Sequence, residues 1–378
     1  MAAAGAQRKL DTSLNSQATK LLIQQFSRKV VGQAKAVQTM VDILENYRAG
    51  FGDPTRPIGN ALFLGPTGTG KTHVVEMLAE SLFGKKEACI RIDCAEYQHS
   101  HEIAKIVGSP PGYLGHRETS AALTQKRLNQ YHTAEHPLTI LLFDEIEKAS
   151  DALWSLLLGI LDKASLTLGD NTVVDFSKTI IVMTSNLGAR EMAKKDIGYG
   201  APSEEYAAAV LEQKAMSAVK AKFTPEFLNR QHHVVMYETL TEVQIEQILE
   251  IELVALSERI FKSTFNRGIT SPSDVHMFNV VVSPKAKRTL IEQGYDKAYG
   301  ARHLKRAIDK MIERPLAKLY NSEQIADGDI IVVDDAGTGE FNFYSHPSIM
   351  ARPLEPVPEH TCTMRCYNSD GIRICEKK

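Results

Sequence analysis

Eight consecutive residues, Gly65-Pro66-Thr67-Gly68-Thr69-Gly70-Lys71-Thr72, match G-x-x-x-x-G-K-T without departure. An apolar run, Ala61-Leu62-Phe63-Leu64, precedes them, and Val74, Leu78 and Leu82 follow at helical spacing. Strand, glycine loop and helix together turn the pattern into a phosphate site. The glycines let backbone N–H groups close around phosphate oxygens, and the helix adds its positive N-terminal end. Lys71 then supplies a point charge to the β/γ-phosphates of a nucleoside triphosphate, and the Thr72 hydroxyl is a ligand for Mg²⁺.

A second cluster fits the same chemistry. Ile140-Leu141-Leu142-Phe143 ends in Asp144-Glu145. A strand beside a phosphate loop that ends in two carboxylates offers Asp144 to Mg²⁺, directly or through water. It offers Glu145 as the base that orients and deprotonates an attacking water. The run Thr179–Thr184 leads into Ser185-Asn186, whose amide can point at that water or at the γ-phosphate. Ser-Asn is equally a common strand-ending turn. Arg230, at the end of Phe223–Arg230, and Arg302, in Gly300-Ala301-Arg302, are of the residue type that stabilises charge on a transferring phosphoryl group. By sequence alone an ordinary surface charge is the better reading of either.

These residues need a scaffold. Strand-like runs at Ala61–Leu64, Cys89–Asp93, Thr139–Phe143 and Thr179–Thr184 alternate with helical stretches near 15–27, 33–49, 73–83, 118–131 and 151–161. Alternation with apolar strands predicts an α/β fold with a parallel sheet buried on both faces. After residue 237 the pattern changes. Thr241-x-x-Gln244 reads as a capping box ahead of a helical apolar face from Ile245 to Ile260. Ser283-Pro284 starts another helix and a third is expected from 301 to 315, followed by a short strand at Ile330–Val333. The expected organisation is a loose segment over 1–14, a large α/β domain over 15–237, a smaller, mainly helical domain over 238–345 and a Pro- and Cys-containing tail over 346–378.

At about 150 residues per domain, 378 residues make two or three units. The net charge of −2 provides no global basic field for nucleic acid or an anionic membrane. No apolar run approaches the roughly 20 residues that span a bilayer. The N-terminus lacks the apolar core of a signal peptide, and five cysteines make no dense disulfide framework. The expectation is a cytoplasmic protein, with no nucleic acid and no membrane among its partners.

Taken together, the motifs resemble the second ATPase module of the Clp/heat-shock unfoldases, within the AAA+ superfamily. The resemblance covers residues 15 to 335. It is carried by Val31-Gly-Gln33, the glycine loop, Gly108–Gly115, Leu142–Lys148, Val174-Asp-Phe176, Met183–Gly188, Phe223–Arg230 and Tyr299–Arg302. It implies a P-loop three-layer domain with a parallel sheet and a smaller C-terminal lid domain. It further implies MgATP as the bound species, with the loop Gly65, Pro66, Thr67, Gly68, Thr69, Gly70, Lys71 and Thr72 on the phosphates and Val30 and Val31 against the adenine. Asn186 matches the sensor of the γ-phosphate, and Arg302 a second sensor. Arg230 matches an arginine finger that acts on ATP held by the neighbouring subunit, which implies a ring, a homohexamer in this family. Tyr113 and Leu114, between Gly112 and Gly115, match the loop that grips unfolded or misfolded polypeptide in a central channel. A tyrosine suits that task, with a large apolar face and a polar tip.

The implied activity is ATP-driven protein unfolding. A variant makes the ring the regulatory part of a ClpP-type protease, with Ile197-Gly198-Tyr199 as the docking tripeptide; an ordinary loop explains those residues as well. A nucleic-acid-remodelling ATPase is a third reading, opposed by the charge and by an aromatic channel loop. The chain departs from the family where Gln231-His232 follow Arg230, and in Ala164–Gly169, less charged than the usual second channel loop. In the tail, His360, Cys362, Cys366 and Cys375 could bind Zn²⁺, though the spacing fits no common finger.

Overall fold

The computed structural model describes residues 16–108, 121–188, 204–265, 278–295, 300–326, 328–337 and 339–346. Tyr113, Leu114, the tripeptide 197–199, the segment 1–14 and the cysteine-containing tail lie outside the described residues.

Two compact units are present. The first comprises residues up to Leu253 together with Leu290–Asp309, and the second Val254–Thr289 with the residues from Lys310 onward. The first unit is built on a parallel sheet of β1 (Gly59–Leu64), β2 (Ile90–Asp93), β3 (Thr139–Asp144), β6 (Thr179–Ser185) and β7 (His233–Met236). The order is β2-β3-β6-β1-β7. An antiparallel hairpin of β4 (Ser165–Thr167) and β5 (Val173–Asp175) lies outside that sheet.

All residues of β1, β3 and β6 are buried, so both faces of the central strands are covered. Alternate side chains enter opposite cores, as the period of two in a strand requires. Leu62, Leu64, Leu141, Phe143, Ile181 and Met183 join one core, under α4 (Asp151–Lys163) and α5 (Glu204–Lys222). Trp154 anchors that side, with its ring 5.4 Å from Phe223 and its indole N–H donating to the Ile146 carbonyl at 3.0 Å. Ala61, Phe63, Ile140, Leu142, Ile180 and Val182 join the other core. It is covered by α1 (Gln17–Lys29), α2 (Ala34–Arg48) and α3 (Lys71–Phe83). This is the continuous-apolar strand signature of a sheet buried on both faces.

The second unit combines helix with a three-stranded sheet of β8 (Asn279–Val282), β9 (Ile330–Asp335) and β10 (Phe341–His346), in the order β10-β9-β8. The sequence suggested only the middle strand. The Val280-Val281-Val282 run and the alternating Phe341 and Phe343 are the sequence signals of the other two strands. Two helical expectations also need correction. Among the described residues of the stretch 118–131, namely 121–131, only Gln125–Leu128 is α-helical, with a 3₁₀ turn after it. Thr124 caps the start, its hydroxyl accepting from the Arg127 N–H at 3.3 Å, and residues 121–123 are irregular. The helix expected to stop at Pro315 instead continues to Asn321. A π-helical turn at Asp309–Glu313 precedes the proline. That wider turn changes the i→i−4 ladder in which the missing N–H and the ring of a proline would break a regular helix.

Candidate functional site

The loop Gly65–Gly70 follows the C-terminal end of β1, a central strand, and leads into α3. Three of its glycines have left-handed φ, 145° at Gly65, 77° at Gly68 and 97° at Gly70. At Gly65 a Cβ would also lie 2.7 Å from the Tyr237 carbonyl oxygen, so sterics and backbone conformation both require glycine. Loops that aim successive N–H groups inward at a helix start are anion-binding concavities.

Lys71 turns back into the loop and is 7% exposed. Its ammonium donates to the carbonyls of Gly65 at 2.7 Å and Pro66 at 2.8 Å, and to Asn186 Oδ1 at 3.0 Å. Burial pushes its pKa down to about 8, against the opposing pull of Glu147, Asp144 and Glu145, and Arg302 lowers it further. An anion is best held by the charged ammonium, which the empty protein loses as pH rises through that value. Nucleotide binding one pH unit above it should therefore take up a proton. Calorimetry with ADP in two buffers of different ionisation enthalpy should show this uptake, and neither Lys71→Arg nor a titration two units lower should.

Asp144 ends β3 and is 8% exposed. The Thr184 hydroxyl, on the neighbouring β6, donates to its Oδ1, and the Thr72 hydroxyl lies 3.4 Å from the same oxygen. Arg91 Nη2 donates to Oδ2 at 2.5 Å. Glu145 adopts φ 57°, ψ 49°, a left-handed conformation unusual for a side-chain-bearing residue. Its N–H donates to Thr184 Oγ1 at 3.1 Å, which fixes the turn. Its carboxylate meets Lys148 Nζ at 2.5 Å and accepts from Asn186 Nδ2 at 3.2 Å. The Asn186 backbone N–H donates to Glu147 Oε1 at 3.0 Å. The second oxygen of Glu147 is buried without a hydrogen bond.

Lys71, Thr72, Arg91, Asp144, Glu145 and Asn186 line one cavity of about 560 Å³, together with the apolar side chains of Val30, Val31, Leu240, Ile248 and Ile251. Arg302 lines it as well. Its placement follows from a close approach at Gly300, where a Cβ would lie 2.7 Å from the Gly68 carbonyl oxygen. The Ala301 N–H donates to that oxygen at 3.2 Å. Gln33 adds a brace, its Nε2 donating to the carbonyls of Thr69 at 3.3 Å and Glu238 at 3.2 Å.

Arg230 does not line this cavity. It lines a smaller one with Arg56, Leu161, Asp162, Asn229 and His232. Its Nε donates to Asp162 Oδ1, and its Nη1 to Glu226 Oε1 at 3.3 Å. Arg91, Thr184 and Lys148 were assigned no role from the sequence. Arg91 lies in a short alternating strand and Thr184 in an apolar one, and their partners are far along the chain, so no local motif marks them. Lys148 had a signal, three residues after Glu145 on the next turn.

Comparison with known proteins gives two family matches. Residues 56–234 match the AAA domain (Cdc48 subfamily), and residues 240–333 the C-terminal, D2-small domain of ClpB protein. The ATP-dependent Clp protease ATP-binding subunit ClpC of Staphylococcus epidermidis (strain ATCC 12228 / FDA PCI 1200) is 37% identical over 317 residues, which are 84% of this chain and 36% of the relative. ClpC of Staphylococcus aureus (strain USA300) is 37% identical over 316 residues, 83% of this chain and 36% of the relative. A closed-state cryo-EM reconstruction of Hsp104 with ATPγS and FITC-casein superposes with a TM-score of 0.71 at 30% identity, over 90% of this chain and 53% of that one. The chain thus spans about a third of the length of the curated relatives it matches.

Proposed function

Because the chain belongs to the AAA+ ATPases of the Clp/Hsp100 family, we propose that it is an ATP-dependent protein unfoldase or remodelling chaperone. On this reading it works as a homohexameric ring in the cytoplasm. The observation that carries the ATPase reading is the convergence of Lys71, Thr72, Asp144, Glu145, Asn186 and Arg302 on one cavity that apolar side chains also line. Residues 15–237 form the ATPase domain and 238–345 the lid domain of this reading.

The donor set suits MgATP. Val30 and Val31 offer an apolar face for the base, and the glycine loop and the start of α3 offer N–H groups and positive potential for the phosphates. Lys71 exchanges its carbonyl partners for phosphate oxygens. Thr72 and Asp144 are hard oxygen donors, the type that Mg²⁺ prefers. An ion held there would supply charge stabilisation to the phosphates. Glu145, oriented by Lys148 and Asn186, accepts the proton of the attacking water. Asn186, hydrogen-bonded to both Lys71 and Glu145, is placed to report the γ-phosphate to the base. Arg302, on the segment whose Ala301 N–H bonds the loop at Gly68, senses the same group on this reading.

Arg230 acts in trans on this reading, on ATP of the adjacent subunit. Tyr113 and Leu114 transmit the motion to unfolded or misfolded polypeptide. ATP turnover should rise when an unfolded model protein is added, and native mass measurement should give a six-membered assembly. Tyr113→Ala should keep basal turnover and abolish unfolding of a tagged fluorescent protein. Undiminished unfolding would remove the channel assignment.

The ClpC relatives are ATP-binding subunits of a Clp protease, which favours a second reading of the same motor. There the ring feeds a ClpP-type peptidase through Ile197-Gly198-Tyr199. Deletion of that tripeptide should then abolish capture of such a peptidase on beads and leave ATP turnover unchanged.

A further inference from the structure

The Asp144 side chain is 12% exposed, and both of its oxygens are engaged. Oδ1 faces the hydroxyls of Thr184 and Thr72, and Oδ2 faces Arg91. A carboxylate withdrawn from water needs a cation or several donors beside it, and here that cation is the Arg91 guanidinium. The two partners differ in environment. The Arg91 side chain is 52% exposed. It occupies the outward position between buried Ile90 and Ile92 on β2, at the edge of the sheet. The other outward residue of that strand, Asp93, accepts from the Ala95 N–H at 2.9 Å. Glu76 lines the same cavity. Its carboxyl is held below the usual range chiefly by His73, with a further contribution from the charge of Arg91. Arg91 can therefore leave Asp144 without entering an apolar environment, and it has both solvent and a second carboxylate to turn to.

We propose that Arg91 is a displaceable cation of the Asp144 site, which balances the carboxylate while no divalent ion is bound and yields Oδ2 when an ion enters with nucleotide. The inference rests on the reading of Asp144 as the ion ligand given above. Two cations cannot share one carboxylate oxygen without repulsion at close range. Arg91 therefore competes with the ion, lowers its affinity and keeps the site closed to ions arriving without phosphates. It acts as a positioning residue on Asp144, and its role is to set the ion's affinity.

Mn²⁺ is a suitable probe because its free form is counted directly by electron paramagnetic resonance. It would be titrated into the full chain with saturating ADP, for the natural sequence and for Arg91→Ala, Arg91→Gln and Arg91→Lys. The uncharged variants should bind Mn²⁺ about tenfold more tightly, as expected on removing a competing charge at a partly screened site. Arg91→Lys should fall between. The glutamine variant preserves the test if alanine impairs folding. Unchanged or weaker Mn²⁺ binding in both uncharged variants would overturn the proposal. ADP binding in the presence of a chelator is measured on the same samples. Its absence from the natural chain would remove the nucleotide reading itself, and the proposal with it, which separates the two failures.

Discussion

Glu145→Gln should bind ATP as the natural chain does and hydrolyse it about 10²–10⁴-fold more slowly, the range lost with a positioned general base. The fold should be untouched. What fixes Glu145 is its backbone, with φ 57° and the N–H donated to Thr184 Oγ1, and glutamine keeps both. Glutamine can also still accept from Asn186 Nδ2 through its carbonyl oxygen. What it lacks is a basic oxygen to take a proton from water, and the charge that pairs with Lys148. The left-handed backbone at a residue with a side chain costs about 1–3 kcal/mol, a strain of the kind found at active sites. Single-turnover hydrolysis and fluorescent-nucleotide binding together check the result. Equal turnover would mean that another group activates the water.

Arg230→Ala should lower turnover by about 10³–10⁵-fold, the range for loss of an arginine finger, again without loss of nucleotide binding. Arg230 lines a different cavity from Lys71 and is held by Asp162 and Glu226. A cis role would require it at the Lys71 cavity. A trans role makes a sharper statement, which mixing can test. Glu145→Gln subunits retain the arginine, and Arg230→Ala subunits retain the base. Mixed assemblies should regain part of the turnover that each variant lacks alone, because some interfaces then pair an intact base with an intact arginine. No recovery in assemblies shown by native mass to be mixed would place the arginine's action within its own subunit.

The parts of this site that are legible in the sequence are those encoded within one short stretch. Gly65–Thr72 and Asp144-Glu145 read directly, because strand burial and the chemistry at the strand end occupy adjacent residues. Asn186 reads through its position at the end of an apolar run. Arg91, Thr184 and Gln33 do not, since each acts through a partner that the sheet order alone brings near. Arg91 meets Asp144 because β2 is hydrogen-bonded to β3, with Asp93 opposite Asp144. Thr184 meets Asp144 because β6 is the other neighbour of β3. The same limit explains the missed β7, whose His233-Val-Val-Met236 is too short and polar at its start to mark a strand until it pairs with β1. Within 121–131 the helix starts later than the apolar spacing suggests because Thr124 caps it there.

The sheet order also sets the sequence in which the loop's support is synthesised. Gly59 pairs with Ile180 and Ala61 with His233, so both neighbours of β1 are made long after β1 itself. The carbonyl packed against Gly65 belongs to Tyr237, beyond even those strands. Chain elongation proceeds at roughly 5–20 residues per second, so the phosphate loop leaves the ribosome many seconds before its flanks exist. During that interval β1 is an apolar strand without partners, the kind of segment prone to wrong pairing. A motif so compact in sequence is among the last parts of the first unit to take its final shape.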